Sequence, residues 1–164
     1  MTSPAYDFRT QLLDGAQAET TLDTHFSRWY RITPATEAQQ RSGIDRVFAR
    51  LDTGEIYTIE YKCDHTAART GNAFVETISV NPAPGSPATP KKGWAYTSRA
   101  RYLLYFVPGD DLIYVIRMAT LRQNLPLWKD QYPERSVGNR GYTTHGLLVP
   151  LDEFERCADQ VISL

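Results

Sequence analysis

Apolar side chains in the first part of the chain recur every three to four positions, as they do along one side of an amphipathic helix. This spacing predicts a helix over residues 8–30, which Gly15 is able to interrupt. The apolar positions are Leu12, Leu13, Ala16, Leu22, Phe26 and Trp29. Residues 31–43 are polar and contain Pro34, so they are predicted to be a connection.

The next segments alternate apolar and polar positions in the manner of β-strands. Residues 44–52 and 55–63 are separated by a segment with the chemistry of a tight turn, so the pair predicts a hairpin. Residues 73–80 follow a polar loop and predict a third strand. The first half of the chain is therefore expected to be a helix followed by a three-stranded meander.

The rest of the chain alternates between proline-rich or polar loops and short regular elements. The predicted elements are a loop at 81–93, a short helix at 94–101, paired strands at 102–107 and 112–118, a helix at 119–131, an irregular stretch at 133–145, a strand at 146–149 and a helix at 152–163. No repeat or linker divides the chain. This order predicts one α/β or α+β domain over residues 1–164.

Composition limits the class of protein. The 164 residues are 41% hydrophobic and 23% charged, which is typical of an ordered globular chain. The net charge is -1, so a polyanionic partner would have to meet a local basic patch. Two cysteines without CxxC spacing suit a reducing compartment. No secretory leader or membrane-length apolar run is visible. We therefore expect an intracellular, cytoplasmic protein with no membrane association.

The strand predicted at 55–63 has two different faces, because side chains alternate across a strand. One face is apolar enough to pack on a helix, and it carries Tyr57, Ile59, Tyr61 and Cys63. The other face ends charged, and it carries Ile56, Thr58, Glu60 and Lys62. Taken alone, Glu60 and Lys62 are compatible with a solvated ion pair that contributes little to stability.

A second carboxylate changes this interpretation. Asp45 lies near the start of the preceding strand, across the hairpin from Glu60, so the two acids are expected to converge at one end of the sheet. Two adjacent carboxylates repel unless a cation lies between them. Oxygen ligands without histidine or cysteine suit Mg²⁺. Lys62 would project beside that ion, and a metal with an ammonium is the combination that phosphoryl chemistry uses. Glu19 in the first helix is one further acid.

These residues resemble the PD-(D/E)xK, or restriction-endonuclease-like, nuclease superfamily. The resemblance rests on Gly43-Ile44-Asp45 followed by Ile59-Glu60-Tyr61-Lys62, with Ile44 where the superfamily name has a proline. Glu19 looks like the first-helix glutamate of the Holliday-junction-resolvase branch. The order helix, three-stranded meander, helix, strand also looks like the core of that fold. The resemblance therefore implies a core over about residues 9–107, with strands and helices added at about 108–164.

The resemblance implies Mg²⁺-dependent hydrolysis of DNA, with Mn²⁺ able to substitute. Asp45 and Glu60 would bind the metal, and the main-chain carbonyl of Tyr61 would be a further ligand. Lys62 would orient or activate the attacking water, and Glu19 would join the catalytic set. Whether Glu76 on the third strand belongs to the site or is a surface acid stays open.

Two acid-free segments, residues 77–109 and 135–150, supply candidates for DNA binding. Phosphate contacts come from basic and hydroxyl side chains such as these segments carry. The loop after the 55–63 strand should also lie near the site. We predict DNA contacts by Arg69, Lys91, Lys92, Thr97, Arg99, Arg135 and Arg140, and we assign Trp94 to the core.

The leading hypothesis is a metal-dependent DNA endonuclease of phage or mobile-element type, such as a homing endonuclease. It would act on double-stranded DNA as a dimer or larger homo-oligomer, since one site of this size cuts one strand. The alternatives are a Holliday-junction-resolvase-like nuclease, a catalytically inactive nucleic-acid-binding protein on the same fold, and an RNA or small-molecule hydrolase with the same carboxylates.

Overall fold

The chain folds into two β-sheets with short helices packed around them. The computed structural model describes the backbone of residues 8–164 and the side chains of residues 14–164. The helices are α1 Phe8–Phe26, α2 Glu37–Arg41, α3 Ala67–Thr70, α4 Trp94–Thr97, α5 Met118–Gln131 and α6 Leu151–Cys157. The strands are β1 Tyr30–Pro34, β2 Arg46–Arg50, β3 Ile56–Cys63, β4 Asn72–Pro82, β5 Lys91–Lys92, β6 Tyr102–Val107, β7 Leu112–Arg117, β8 Glu134–Asn139, β9 Tyr142–Pro150 and β10 Gln160–Ser163. The architecture is mixed α+β, as the sequence predicts.

The first sheet has six strands in the order β1-β2-β3-β6-β7-β10. Strands β1, β2 and β3 form an antiparallel meander in which Arg46 lies opposite Ile59. Strand β3 then pairs with β6 in parallel, with Glu60 opposite Leu103. Strands β7 and β10 extend the sheet with antiparallel pairs. Strand β3, which carries Glu60 and Lys62, is therefore an interior strand.

The second sheet has four strands in the order β5-β4-β9-β8, all antiparallel. Its longest pair joins β4 and β9, from Asn72 opposite Pro150 to Pro82 opposite Tyr142. The register of this pair shifts around Ile78. The C-terminal third of the chain thus supplies strands to both sheets.

One of the three strands predicted to form the meander is wrong. Residues 73–80 form a strand, but they belong to β4 in the second sheet and do not pair with β3. The missing member is β1, whose first residue lies in the predicted helix and whose other four residues lie in the predicted polar connection. This strand is short, ends in Pro34, and has only Tyr30 and Ile32 partly buried against the core. Two apolar positions are too few to reveal a period of two.

Other predicted boundaries also change. Helix α1 ends at Phe26, and the segment predicted as irregular at 133–145 contains β8 and the start of β9. The helix predicted at 152–163 divides into α6 and β10, because Val161 and Ile162 join the edge of the first sheet beside β7. Apolar spacing over so few residues does not distinguish a last helical turn from a short strand.

Strand β3 lies between two apolar layers. Helix α1 covers one face of the first sheet, where Leu22 and Phe26 pack with Ile59 and Tyr61. The opposite face packs against the second sheet and α4, α5 and α6, around Trp128. The predicted packing of the Ile59 and Tyr61 face on a helix is confirmed. None of the helices within residues 8–164 is long and apolar enough to cross a membrane.

Candidate active site

Asp45 is fixed at the entrance to β2 by its own main chain and by its carboxylate. Its amide donates to the Ile59 carbonyl at 2.8 Å, which continues the β2–β3 ladder by one residue. Its Oδ2 accepts the amide of Tyr61 at 2.7 Å. Because that amide belongs to the peptide that follows Glu60, the two predicted metal ligands lie side by side on the hairpin.

Glu60 is a buried acid with only 3% of its surface exposed. Its Oε1 lies 2.6 Å from the Lys62 ammonium, and its Oε2 lies 3.2 Å from the Ser98 hydroxyl. Burial raises the pKa of Glu60, the charge of Asp45 raises it further, and Lys62 and Ser98 only partly oppose this rise. The site sets two carboxylates, those of Asp45 and Glu60, against the single ammonium of Lys62.

Gly43 and Ser98 form the wall behind Glu60. Gly43 has a left-handed φ of 71°, and a Cβ built there would lie 2.8 Å from Ser98 Cα and 3.0 Å from Glu60 Oε2. Glycine is therefore required both by the backbone and by the close approach. The Ser98 hydroxyl lies 2.7 Å from the Gly43 carbonyl, so its single proton serves that carbonyl or Glu60. Arg122 on α5 donates to the main-chain carbonyl of Ser98 and holds this wall in place.

Lys62 connects the buried carboxylate with solvent. Its side chain is 33% exposed, and its ammonium lies 5.8 Å from the centre of the Trp94 ring. The lysine also lines an open cleft of about 560 Å³ between the end of β3 and the second sheet. Arg69 and Arg135 line the same cleft. An anion entering the cleft would therefore meet three cationic side chains, together with the carboxylates of Asp64 and Glu76, which line the same cleft.

Glu19 is placed differently from the other predicted catalytic residues. It binds Arg46 at 2.7 Å on the face of the first sheet that α1 covers. Arg46 in turn donates to the Asp45 carbonyl at 3.0 Å. Glu19 therefore reaches the Asp45 main chain only through Arg46, and the structure does not bring it to Glu60 or Lys62. The Tyr61 side chain lies on this α1 face too, where its hydroxyl donates to Asp23 at 2.8 Å.

The predicted DNA-binding residues occupy four places. Arg69 and Arg135 lie in the cleft beside Lys62. Exposed positions on β5, on and after α4, and at the tip of the β8–β9 hairpin hold the others, which are Lys91, Lys92, Thr97, Arg99 and Arg140. The structure thus brings two of the seven predicted contacts to the candidate site.

Four further residues lie beside the site. Trp94 is buried, as predicted, and its ring lies beside Lys62. Glu76 lines the cleft and accepts the Trp94 amide at 3.3 Å. Ser98 escapes prediction because it is one hydroxyl in a polar segment, and only the tertiary fold brings it to Glu60. Asp64 accepts the amides of Thr66 and Ala67 and so caps the loop.

The donor set of the site is small. Within residues 14–164, no group of three or more histidine, cysteine, aspartate or glutamate side chains is placed to hold a metal ion. The site offers two carboxylates and neighbouring main-chain oxygens. Mg²⁺ characteristically binds to one or two carboxylates and keeps several waters, so this set is compatible with that ion.

Comparison with known proteins gives a partial likeness. No protein-family model matches the sequence, and no curated protein matches it. Among solved structures, the chain is similar to a bacterial homing endonuclease, I-Ssp6803I, with 15% sequence identity and a TM-score of 0.45. The likeness covers 65% of this chain and 66% of that one, so the chain spans just under two thirds of that protein.

Proposed function

We propose that this protein is a divalent-metal-dependent DNA endonuclease of the PD-(D/E)xK type. The observation that carries the proposal is the arrangement around Glu60. This buried carboxylate lies beside Asp45, contacts Lys62 at 2.6 Å, and has its pKa raised by burial. Burying a charge is unfavourable unless it is paired, so a site that keeps surplus negative charge is suited to a cation.

The residues present fit Mg²⁺, or Mn²⁺ in its place. Asp45 and Glu60 would hold the ion through carboxylate oxygens, and the main-chain carbonyl of Tyr61 would be a third protein ligand. Both carboxylates are already fixed, Asp45 by the Tyr61 amide and Glu60 by the Lys62 ammonium. When bound, such an ion polarises a phosphodiester and lowers the pKa of a coordinated water.

Lys62 has the other role that hydrolysis requires. Its ammonium stands at the boundary between the buried acids and the open cleft, so it is positioned to hold a water or a phosphate oxygen at that boundary. A cation fixed where negative charge develops stabilises the transition state more than the bound substrate. Arg69 would contact a neighbouring phosphate, and Arg135 lies in the same cleft.

The proposed substrate is double-stranded DNA, and the proposed class is a phage or mobile-element enzyme such as a homing endonuclease. The exposed basic residues outside the cleft extend the contact surface beyond a single phosphate. One site of this size cuts one strand, so cleavage of both strands requires two or more copies of the chain.

A cleavage assay tests this proposal. Purified protein is incubated with supercoiled plasmid, linear duplex and a four-way junction, in Mg²⁺, in Mn²⁺ and in EDTA. We expect metal-dependent cutting of duplex DNA, and Asp45→Ala should abolish it while the protein stays folded and binds DNA. Cutting of the junction alone would identify a resolvase. Binding without cutting in any metal would overturn the nuclease proposal in favour of a binding protein.

A thermal melt provides a readout that does not depend on the substrate. A ligand that binds only the folded state raises its stability. Millimolar Mg²⁺ should therefore raise the melting temperature of the native protein and leave that of Asp45→Ala unchanged. An equal shift in both proteins would place the ion elsewhere.

A further inference from the structure

We propose that the β8–β9 hairpin reads base sequence by lying along the major groove of duplex DNA. This inference rests on the proposed function and adds the element, the groove and the residues that discriminate bases. A two-stranded antiparallel ribbon fits a B-DNA major groove, which is about 12 Å wide. The hairpin consists of β8 and β9 joined at Arg140 and Gly141.

The hairpin is built for contact with something outside the chain. All six residues of β8 are exposed, and β8 is the terminal strand of the second sheet. Within residues 8–164, no strand pairs with its outer edge. Val137 is the only large apolar side chain of the strand. The exposed strand is therefore a polar surface and not an apolar surface that has lost its cover.

One face of β8 points into the cleft that contains Lys62. The cleft is lined by Arg135, Val137 and Asn139, which are every second residue of the strand. Ser136, which alternates with them, does not line the cleft. If this face of the hairpin is turned toward the bases, Lys62 at the other end of the cleft lies beside the DNA backbone next to those bases. The residues that read the sequence and the residue that acts in cleavage then belong to one cleft.

Asn139 is oriented in advance for this task. Its Nδ2 donates to Thr144 Oγ1 at 2.9 Å, and that hydroxyl donates to the Ser79 carbonyl at 2.9 Å. The chain of bonds fixes the amide plane while leaving the carbonyl oxygen and the second amide hydrogen outside this chain. Asparagine pairs with the N6 and N7 edge of adenine through these two groups.

Arg135 has the matching chemistry for guanine, whose O6 and N7 accept both arms of a guanidinium. None of the ion pairs found among residues 14–164 includes Arg135 or Arg140. The one acid of the hairpin, Glu134, contacts His145 at 3.0 Å. Arg140 is in the turn and does not line the cleft, so it is assigned to phosphate rather than to a base.

The test is cleavage of a randomised duplex library, followed by sequencing of the cut ends. The native protein should give a preferred sequence. Arg135→Ala should reduce the preference for one guanine by roughly tenfold or more, and Asn139→Ala should do the same for one adenine. Ser136→Ala, on the other face of the strand, should keep the whole preference. Arg140→Ala should weaken binding of all sequences alike. It should also reduce the slope of the logarithm of the binding constant against the logarithm of salt concentration by about one.

The proposal is overturned if Arg135→Ala and Asn139→Ala both keep the native preference. Melting temperatures equal to that of Ser136→Ala show that the variants are folded. If the native protein cuts nothing, the proposed catalytic function fails by itself. The hairpin is then tested by selecting bound duplexes in EDTA, where loss of the enriched sequence in Arg135→Ala supports the inference and its retention refutes it.

Discussion

The two faces of the β2–β3 hairpin both combine acids with a cation. They differ in whether the partners of the buried charge offset the cost of burying it. On the α1 face, Arg46 binds Glu19 and Asp23, and Asp23 also accepts the Tyr61 hydroxyl. Burial lowers the pKa of Arg46, but hydrogen bonds and charges from the two acids outweigh burial and raise it. The partners on this face therefore stabilise the charge they hold.

On the other face, the partners of the Glu60 carboxylate do not offset the cost of burying its charge. Glu60 contacts Lys62 and Ser98, and yet burial and Asp45 raise its pKa. The comparison teaches that an acid cluster is a candidate for chemistry when its charges are left incompletely stabilised. A cluster whose charges are stabilised by their neighbours is a candidate for holding elements together. Sequence spacing alone gives both clusters the same appearance.

The largest expected effect is on catalysis, from Lys62→Met. The change removes the ammonium and keeps the apolar stem beside Trp94, so cleavage should fall by about 10²- to 10³-fold. DNA binding should change little, and the melting temperature should fall modestly, because buried Glu60 loses its cation but is able to take up a proton in place of the ion pair. Lys129→Met is the matched control, since this lysine also lies over an aromatic ring, Tyr96, at 5.9 Å but does not line the cleft. Native rates in Lys62→Met would remove the catalytic assignment.

The largest expected effect on stability comes from Arg46→Met on the α1 face. The change leaves Glu19 and Asp23 without their cation, and the Arg46 side chain is only 15% exposed. We expect a loss of about 2 kcal/mol in urea unfolding, since both acids are partly solvated and screening reduces the cost. Arg41→Met removes an exposed pair with Glu37 and should change stability by less than about 0.5 kcal/mol.

Glu19→Gln tests the one predicted catalytic residue that lies on the α1 face. Because Glu19 reaches Asp45 only through Arg46, the variant should keep cleavage within a fewfold of native while losing stability. A rate as low as that of Lys62→Met would return Glu19 to the catalytic set and would show that the two faces are not separate.

A matched pair of neutral substitutions should give stability changes of opposite sign. Glu60→Gln removes a buried charge that the fold opposes, so it should raise the free energy of unfolding by on the order of 1 kcal/mol while abolishing cleavage. Asp23→Asn removes a charge that Arg46 stabilises, so this change should lower the free energy of unfolding by about 1 kcal/mol. Destabilisation by Glu60→Gln would contradict the assigned imbalance.

The pH dependence of this pair follows from the direction of the Glu60 shift. The folded-state pKa of Glu60 is raised above its ordinary value of 4.5, so the unfolded chain loses its proton first as pH rises. Glu60 therefore contributes stability below 4.5 that is lost as pH rises through the folded-state pKa. In EDTA across this range, the melting temperature of Glu60→Gln should rise relative to that of the native protein as pH rises. A constant difference would mean that Glu60 is not shifted.

Tyr61→Phe is expected to leave cleavage unchanged and to affect stability alone. The change removes one hydrogen bond to Asp23 on the α1 face, which should cost about 1 kcal/mol in the free energy of unfolding. Cleavage should stay at the native rate, because the proposed contribution of Tyr61 to the site is a main-chain carbonyl. A large loss of cleavage with native stability would show that the Tyr61 side chain acts in the reaction.

The sequence predicts the faces of β3 well because alternation is a local property of a strand. The convergence of Asp45 with Glu60 is also accessible, since a short turn fixes the hairpin register. The partner of a strand is not local, which is why β4 is predicted correctly as a strand and wrongly as a member of the meander. Ser98 is beyond reach for the same reason, since only the tertiary fold places it beside Glu60.

The parallel pairing of β3 with β6 has a consequence for synthesis of the chain. The crossover between them, residues 64–101, contains β4 of the second sheet, whose main partner is β9 near the C-terminus. Contacts between distant segments form late, because the intervening loop must close first. A nascent chain that already carries Asp45, Glu60 and Lys62 would therefore lack the cleft beside them until β8 and β9, which line it, leave the ribosome. Truncated products that end before β8 should therefore lack the proposed activity.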